Sequence, residues 1–215
     1  MRQYIHRLQS KFIIFSPLGL FLQLVAKLGC KIYPYYVYSN LAGRVNSPSL
    51  PGADAAYDFV ELADDELSAI CDLPCRPRDR AYVLKLYQEG SRCFALKKLT
   101  AVCSYVWADY NYFMIKGKRV GKLAHTEAFF FDSYTVESSR GQGLSPYLFL
   151  KAYAYCRGLG KEKFYIFCSI FNKSARNVYA KLNPVTEGLA WHIDLWGIHT
   201  RNILPRSLGQ RKVPA

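Results

Sequence analysis

Six consecutive residues, Arg140, Gly141, Gln142, Gly143, Leu144 and Ser145, have the types and spacing to hold an anion. Two glycines permit backbone dihedrals that bring successive amides close to a ligand. A helix starting just after them adds unpaired N–H groups and the positive end of its dipole. Arg140 can add a charge-assisted donor, and Pro146 in the first helical turn loses no needed hydrogen bond. Phosphate oxygens suit such a cradle, although RGQG alone is also an ordinary strand-to-helix turn.

Few rival chemistries have support. The histidines, His6, His125, His192 and His199, are scattered, and no GxSxG or HExxH pattern accompanies them. The seven cysteines are an odd number, mostly inside apolar runs, which points to a reduced, cytoplasmic setting. Cys71 and Cys75 in CDLPC have no second pair at ligand spacing, so no metal is expected.

The elements that must position the turn follow from hydrophobic patterning. Glu127 to Val136 (EAFFFDSYTV) reads as a long central strand leading into it, and about Pro146 to Arg157 as the helix leaving it. Phe164 to Ile170 (FYIFCSI) reads as a further strand, Lys173 to Leu182 as a helix and Trp191 to Trp196 as a last strand. Upstream, Tyr57 to Leu62 reads as a strand, Asp64 caps a helix through DELSAI, and a second helix runs from about Pro77 to Gln88. Two strands, Arg92 to Lys97 and Val102 to Ala108, should pair as a hairpin, followed by a polar segment containing KGKR. The expected order is β-α-α-β-β-β-α-β-α-β: an α/β fold with a central mixed sheet, helices on both faces and an amino-terminal extension.

Length and charge bound the whole. The 215 residues suit one domain of about 150 residues plus an extension. With 51% hydrophobic and 21% charged residues, wholesale disorder is excluded. The +13 charge resides at the ends: residues 1–53 carry six basic residues and no acid, residues 195–215 four and none, leaving +3 between them. The Pro, Ser and Gly-rich NSPSLPGAD reads as a connection. The expected division is a basic, apolar extension at 1–50, a catalytic domain at 54–200 and a basic tail at 201–215.

Residues 12–26 (FIIFSPLGLFLQLVA) are uncharged between Lys11 and Lys27. As a helix they reach roughly 22 Å, short of the roughly 30 Å hydrocarbon core. Leu18, Phe21, Leu22 and Val25 follow helical spacing, as for a helix lying on an anionic bilayer or one capping the core. A secretory signal fits less well, since Lys27 stands where small cleavage-site residues belong.

The turn also resembles motif A of the GNAT superfamily of N-acetyltransferases, with Arg140, Gly143 and Ser145 at its three defined places; Ser145 stands where Gly or Ala is usual. Asn172, Ser174, Ala175 and Tyr179 in NKSARNVYAKL, after FYIFCSI, resemble motif B, with Asn183 and Pro184 departing from its usual ending. The resemblance covers roughly two thirds of the chain. It implies acetyl-CoA, or a longer acyl-CoA, as cosubstrate. The pyrophosphate would lie at the amides of Gly141 to Ser145, and the pantetheine arm between the two parting strands. Tyr134, Val136, Asn172 and Ser174 join the cofactor contacts, and Tyr179 lies beside the thioester sulfur.

An alkyl amine of pKa about 10.4 is mostly protonated at neutral pH, so acyl transfer needs a base or a water relay. Glu127 shares strand parity with Phe129, Phe131, Ser133 and Thr135 and is the first candidate, equally readable as a surface ion pair; Asp132 and Asp109 are the alternatives. The resemblance makes Tyr179 the proton donor to the leaving thiolate, against plain packing as the other reading.

The acceptor is a primary amine of unspecified kind, a sugar-nucleotide amine among them. The apolar start and basic ends admit a peripheral membrane variant that transfers a longer acyl chain to a lipid amine such as a sphingoid base. A non-enzymatic binder of nucleic acid is a third reading, weakened by the absence of zinc-finger, GxxG or RNP-like signatures.

Overall fold

The computed structural model describes residues 17–44, 56–73, 76 and 78–208. Eight strands form one sheet in the order β10-β9-β1-β8-β7-β4-β3-β2. They are β1 Cys30–Leu41, β2 Asp58–Glu61, β3 Arg92–Lys98, β4 Ala101–Asp109, β7 Glu127–Thr135, β8 Lys163–Ser169, β9 Val185–Leu195 and β10 His199–Ile203. A separate hairpin, β5 Tyr112–Ile115 with β6 Lys118–Lys122, turns through Lys116 and Gly117, both at positive φ as a tight hairpin of matching twist requires. The helices are α1 Pro17–Lys27, the short α2 Ser68–Cys71, α3 Arg80–Gln88, α4 Leu144–Gly158 and α5 Lys173–Ala180. The architecture is the mixed α/β sheet flanked by helices that the patterning predicts.

The cores on the sheet's two faces differ. Ile70 of α2, Val83 and Leu86 of α3, Phe113 and Ile115 of the hairpin, and Phe129 of β7 share one. Leu148, Phe149, Ala152 and Tyr153 of α4 and Tyr179 of α5 pack with Phe130 and Phe164 in the other. Asp79 caps α3 by accepting from the Ala81 amide at 2.9 Å, so that helix starts at Arg80 rather than near Pro77.

Two expected boundaries do not coincide with the sheet. Residues 30–41, assigned to an extension, are an interior strand: β1 is antiparallel to β8 from Tyr35↔Ser169 to Leu41↔Lys163, and to β9 along its other edge. Arg201 to Ile203, assigned to the tail, belong to β10, paired with β9. α1 is helical where the spacing of Leu18, Phe21, Leu22 and Val25 predicts it; residues 1–16, 45–55 and 209–215 lie outside the described residues, as does Cys75.

Candidate active site

The sheet opens at one place. β7 and β8 are its parallel pair, in register from Glu127↔Lys163 to Phe130↔Ile166 and no further. Beyond that point β7 continues beside β4 and β8 beside β1. The opening lies just before the turn at residues 140–143.

A bulge marks it. Tyr105 faces Tyr134 and Trp107 faces Phe131, so Asp132 and Ser133 together oppose the single residue Val106. Asp132 takes φ 47°, the left-handed region that few side chains other than Asn and Asp tolerate. Its Oδ1 accepts from Arg76 Nη2 at 2.5 Å and also from Arg78 Nη2. Arg76 donates a second bond to the Ser133 carbonyl at 3.0 Å, with its guanidinium 5.3 Å from the Tyr134 ring centroid. Arg140 lies 5.5 Å from the same ring. Both arginines of the RPR segment between α2 and α3 thus tie that segment to the bulge.

Tyr179 projects from α5 into this neighbourhood. It is buried, edge-on to Phe149 at 5.5 Å and 6.1 Å from the Tyr38 ring. Burial, and secondarily the Cys168 thiol, raise its phenol well above the ordinary tyrosine value; the Ser133 side chain and the Arg76 charge pull it partly back. Tyr179 therefore carries its proton at neutral pH. Burial and the Asp132 charge push the Tyr105 phenol up to about 12, opposed by Arg76 and Arg78.

The turn has the geometry its glycines predict. Gly141 and Gly143 take φ 80° and 76°, and Gly143 stands at the amino cap of α4. A Cβ on Gly141 would meet nothing within 4 Å, so its outer side is open. Among the described residues, the non-helical backbone hydrogen bonds use none of the amides of Gly141 to Ser145 as donors, and those of Leu144 and Ser145 belong to the unpaired first turn of α4. Gln142 secures the turn: its Oε1 accepts from the Tyr57 hydroxyl at 2.8 Å and its Nε2 donates to the Ser138 carbonyl at 3.3 Å. Arg140 donates through Nε to the Thr135 carbonyl at 3.2 Å and pairs with Glu137 at 3.4 Å.

The structure thus brings together Arg140, Gly141, Gln142, Gly143, Leu144, Ser145 and Tyr179 around the parted strands. It separates Glu127, a correction to the base assignment. Glu127 lies at the closed end of β7, six residues or roughly 20 Å of strand from Ser133. There it accepts from the Ala124 amide at 2.8 Å and the Tyr165 hydroxyl at 3.2 Å. Asp109 is structural too, accepting from Ser91 at 2.8 Å and from the amides of Asn111 and Tyr112. Of the three carboxylates only Asp132 is at the opening.

The main chain of Val136 turns away from the opening. Its amide donates to the Cys103 carbonyl at 2.9 Å and its carbonyl accepts from Ser139, so its main chain faces β4 and the following turn. Antiparallel ladders alternate, so Tyr134 likewise turns its main chain to β4 and Thr135 presents its own to the opening. The bulge causes this: after Asp132, Tyr134 joins the face of Phe129 and Phe131, while Val136 touches both cores. Asn172 caps α5, its side chain accepting from the Ala175 amide at 3.0 Å, and Ser174 is exposed on that helix. Arg76, Arg78 and Tyr105 carry no motif in the sequence, where the two arginines stand only as RPR, and Ser133 and Thr135 are named there for strand parity with Glu127 alone. His192 is buried in β9, its Nδ1 2.7 Å from Asn202, and the described residues contain no cluster of three metal-ligating side chains.

Comparison with known proteins bears on the fold and the family. The family model described as the acetyltransferase (GNAT) family matches residues 57–183, more than half of the chain. A GCN5-related N-acetyltransferase from Kribbella flavida is 14% identical over 80% of this chain and 62% of its own, with TM-score 0.53. A Drosophila protein of TM-score 0.56 is 9% identical over 80% of this chain and 55% of its own. An aminoglycoside acetyltransferase from an uncultured soil sample, solved with sisomicin, is 14% identical over 63% of this chain and 92% of its own, with TM-score 0.50. The chain therefore spans less than two thirds of the Drosophila and Kribbella proteins. Among curated proteins, none matches.

Proposed function

The chain belongs to the acetyltransferase (GNAT) family, and from that premise we propose that it transfers an acyl group, acetyl by default, from acyl-CoA to a primary amine. The observation that carries this reading is the glycine turn at the mouth of the parted β7 and β8, whose amides have no backbone acceptor among the described residues, beside the buried Tyr179. The open side of Gly141 leaves room for a diphosphate against the backbone.

Bound acyl-CoA supplies a thioester: the amine nitrogen bonds to its carbonyl carbon, the C–S bond breaks, the sulfur leaves as a thiolate that takes a proton, and the nitrogen gives up its own. The amides of Gly141 to Ser145 hold the diphosphate, with Arg140 alongside. Thr135 aligns the arm within the opening. Tyr179 donates the proton to the departing sulfur. Asp132 is the carboxylate located to take part in removing the amine's proton, with solvent as the final sink.

Calorimetric titration with acetyl-CoA and thiol release in the presence of a panel of amines test this reading. Micromolar binding with release above hydrolysis supports it. No heat at several temperatures overturns it.

A second reading, transfer of a longer acyl chain to a lipid amine at a membrane surface, has one supporting observation. Leu20, Phe21, Leu24 and Leu28 of α1 and its following turn are exposed, and Gly29 abuts Trp196, which is exposed with Ile198 between β9 and β10. Residues 1–53 carry positive charge and no acid, which suits an anionic bilayer. No described helix is long and apolar enough to cross a membrane. Co-sedimentation with phosphatidylglycerol vesicles supports this variant, and protein left in the supernatant removes it. The cytoplasmic setting is supported by the six described cysteines, all free thiols.

A further inference from the structure

The most exposed large apolar side chains are gathered at one end of the sheet. Among the described residues these are Leu99 at 88%, Ile198 at 77%, Leu28 at 74% and Trp196 at 68%. Leu99 lies in the turn between β3 and β4, Trp196 and Ile198 in the turn between β9 and β10, and Leu28 just before β1. All three places are at the end where β7 and β8 part, because β7 and β8 run toward it, β1 and β4 run away from it, and β9 returns to it. From Phe130↔Ile166, the last parallel pair, three residues of β8 and five of β1 lead up to Leu195; five of β7, one of them extra in the bulge, and three of β4 lead up to Ala101. The two turns therefore reach about the same height on opposite sides of the opening, each one to two strand widths away, roughly 5–10 Å.

Neither turn carries the residue that suits its backbone. Leu99 takes φ 56° at the first position of a two-residue hairpin connection, a place that favours glycine, and Trp196 takes φ 52° beside Gly197 at 72°. Bulky side chains are outliers there. Packing does not account for them: Leu99 is almost bare, and the Trp196 ring covers Gly29 yet leaves most of its own surface in water. Single exposed leucines are ordinary, whereas strained turns that hold apolar side chains outward on both sides of an opening point to a surface they enter. Phe21 and Leu24 of α1, both exposed, extend the apolar area from Leu28.

The charge around these tips fits an anionic surface. Lys27 precedes Leu28 and Lys98 precedes Leu99; with Lys173 at the start of α5 they are exposed and have no ion pair among the described residues. The acids at this end face cations of their own: Glu137 pairs with Arg140 and Glu66 with Lys97, Asp58 lies across from Lys97, and Asp194 lies across from Lys31.

We propose that the open end of the sheet docks on an anionic lipid bilayer. Leu99 on one side and Leu28, Trp196 and Ile198 on the other enter the interface, and the polar turn at residues 137–143 stays among the headgroups between them. Apolar tips flanked by lysines suit such an interface, and tryptophan favours it. This deepens the membrane reading, extending it from α1 and one turn to the whole mouth of the site. The docking rests on the acyltransferase reading only for what the docked mouth would do.

The experiment measures co-sedimentation of the full chain with vesicles of equal parts phosphatidylglycerol and phosphatidylcholine, and with phosphatidylcholine alone. Leu99→Gly and Trp196→Asn are the variants, since glycine and asparagine tolerate the left-handed backbone and keep the fold. The wild-type protein is expected to bind the mixed vesicles about tenfold more tightly than phosphatidylcholine alone. Each substitution should weaken that binding about threefold or more, and the pair about tenfold or more, while the Kd for coenzyme A stays unchanged. Loss in Trp196→Asn with Leu99→Gly at wild-type strength would turn the mouth away from the bilayer; it overturns the proposal and spares the lipid-amine reading. No binding, or equal binding to both vesicles, overturns it as well. A dimer in vesicle-free solution that both substitutions dissociate, without lipid binding, assigns the tips to a second copy and overturns it too. Failure to bind coenzyme A is read separately and counts against the acyltransferase assignment alone.

Discussion

Arg76 and Asp132, 56 positions apart in sequence, meet at 2.5 Å, so the segment leading into α3 is tied to the one residue of β7 in left-handed conformation. The carboxylate holds two guanidinium groups and the strained backbone beneath them. Asp132→Asn keeps a side chain that tolerates φ 47° but removes the charge. The expected loss is about 1–3 kcal/mol, since Arg76 and Arg78 are a third exposed or less and keep access to water. Urea unfolding checks it. An unchanged midpoint would mean that the ion pairs contribute nothing to the bulge.

Tyr179→Phe separates chemistry from packing, because the ring contacts with Phe149 and Tyr38 survive and only the hydroxyl is removed. Turnover should fall about 100-fold, within the usual range for a proton donor, with coenzyme A affinity within twofold of wild type. The phenol is held above its ordinary pKa, so deprotonation is delayed to higher pH than for a free tyrosine. The rate should therefore show no decline attributable to Tyr179 at or below pH 10. Stopped turnover and a pH profile test both halves.

Gly143→Ala addresses the cradle. At φ 76° an alanine costs about 1–2 kcal/mol of backbone strain, and relaxation of that strain rotates the first amides of α4. Coenzyme A binding should weaken about tenfold by calorimetry while near-native circular dichroism persists. Equal affinity in the variant would place the diphosphate elsewhere.

The sequence displayed the unit from β7 through the turn, α4, β8 and α5 because its glycines, cap and alternating apolar strands are local signals. Asp132 gave none. A bulge depends on what the neighbouring strand does, and strand parity read straight through it assigned Glu127 and Thr135 to one face. Actual register puts Tyr134, not Thr135, on the face of Phe129. β1 was obscured by Pro34, which cannot donate to a ladder and reads as a strand breaker. In the fold Pro34 lies just past the last β8 pair, Tyr35↔Ser169, and offers its carbonyl to Ile170 at 3.2 Å.

Alkaline pH should unfold the protein through its buried thiols and phenols. Burial pushes the thiols of Cys156 and Cys168 up to about 12 from an ordinary value of 9, and the phenols of Tyr35 and Tyr105 to about 12 from 10. Each group is therefore harder to ionise in the folded state than in the unfolded one. Below pH 9 both states are protonated and this contribution is fully present. As pH rises from 9 toward 12 the unfolded chain ionises first and stability falls. By pH 11 the two thiols together forfeit on the order of 5 kcal/mol, comparable with the whole stability of a small domain. Melting temperature should be level between pH 7 and 9 and drop steeply above that, and Cys168→Ala should flatten the drop. A level curve to pH 11 in the wild type would mean that the thiols are reached by water and titrate normally.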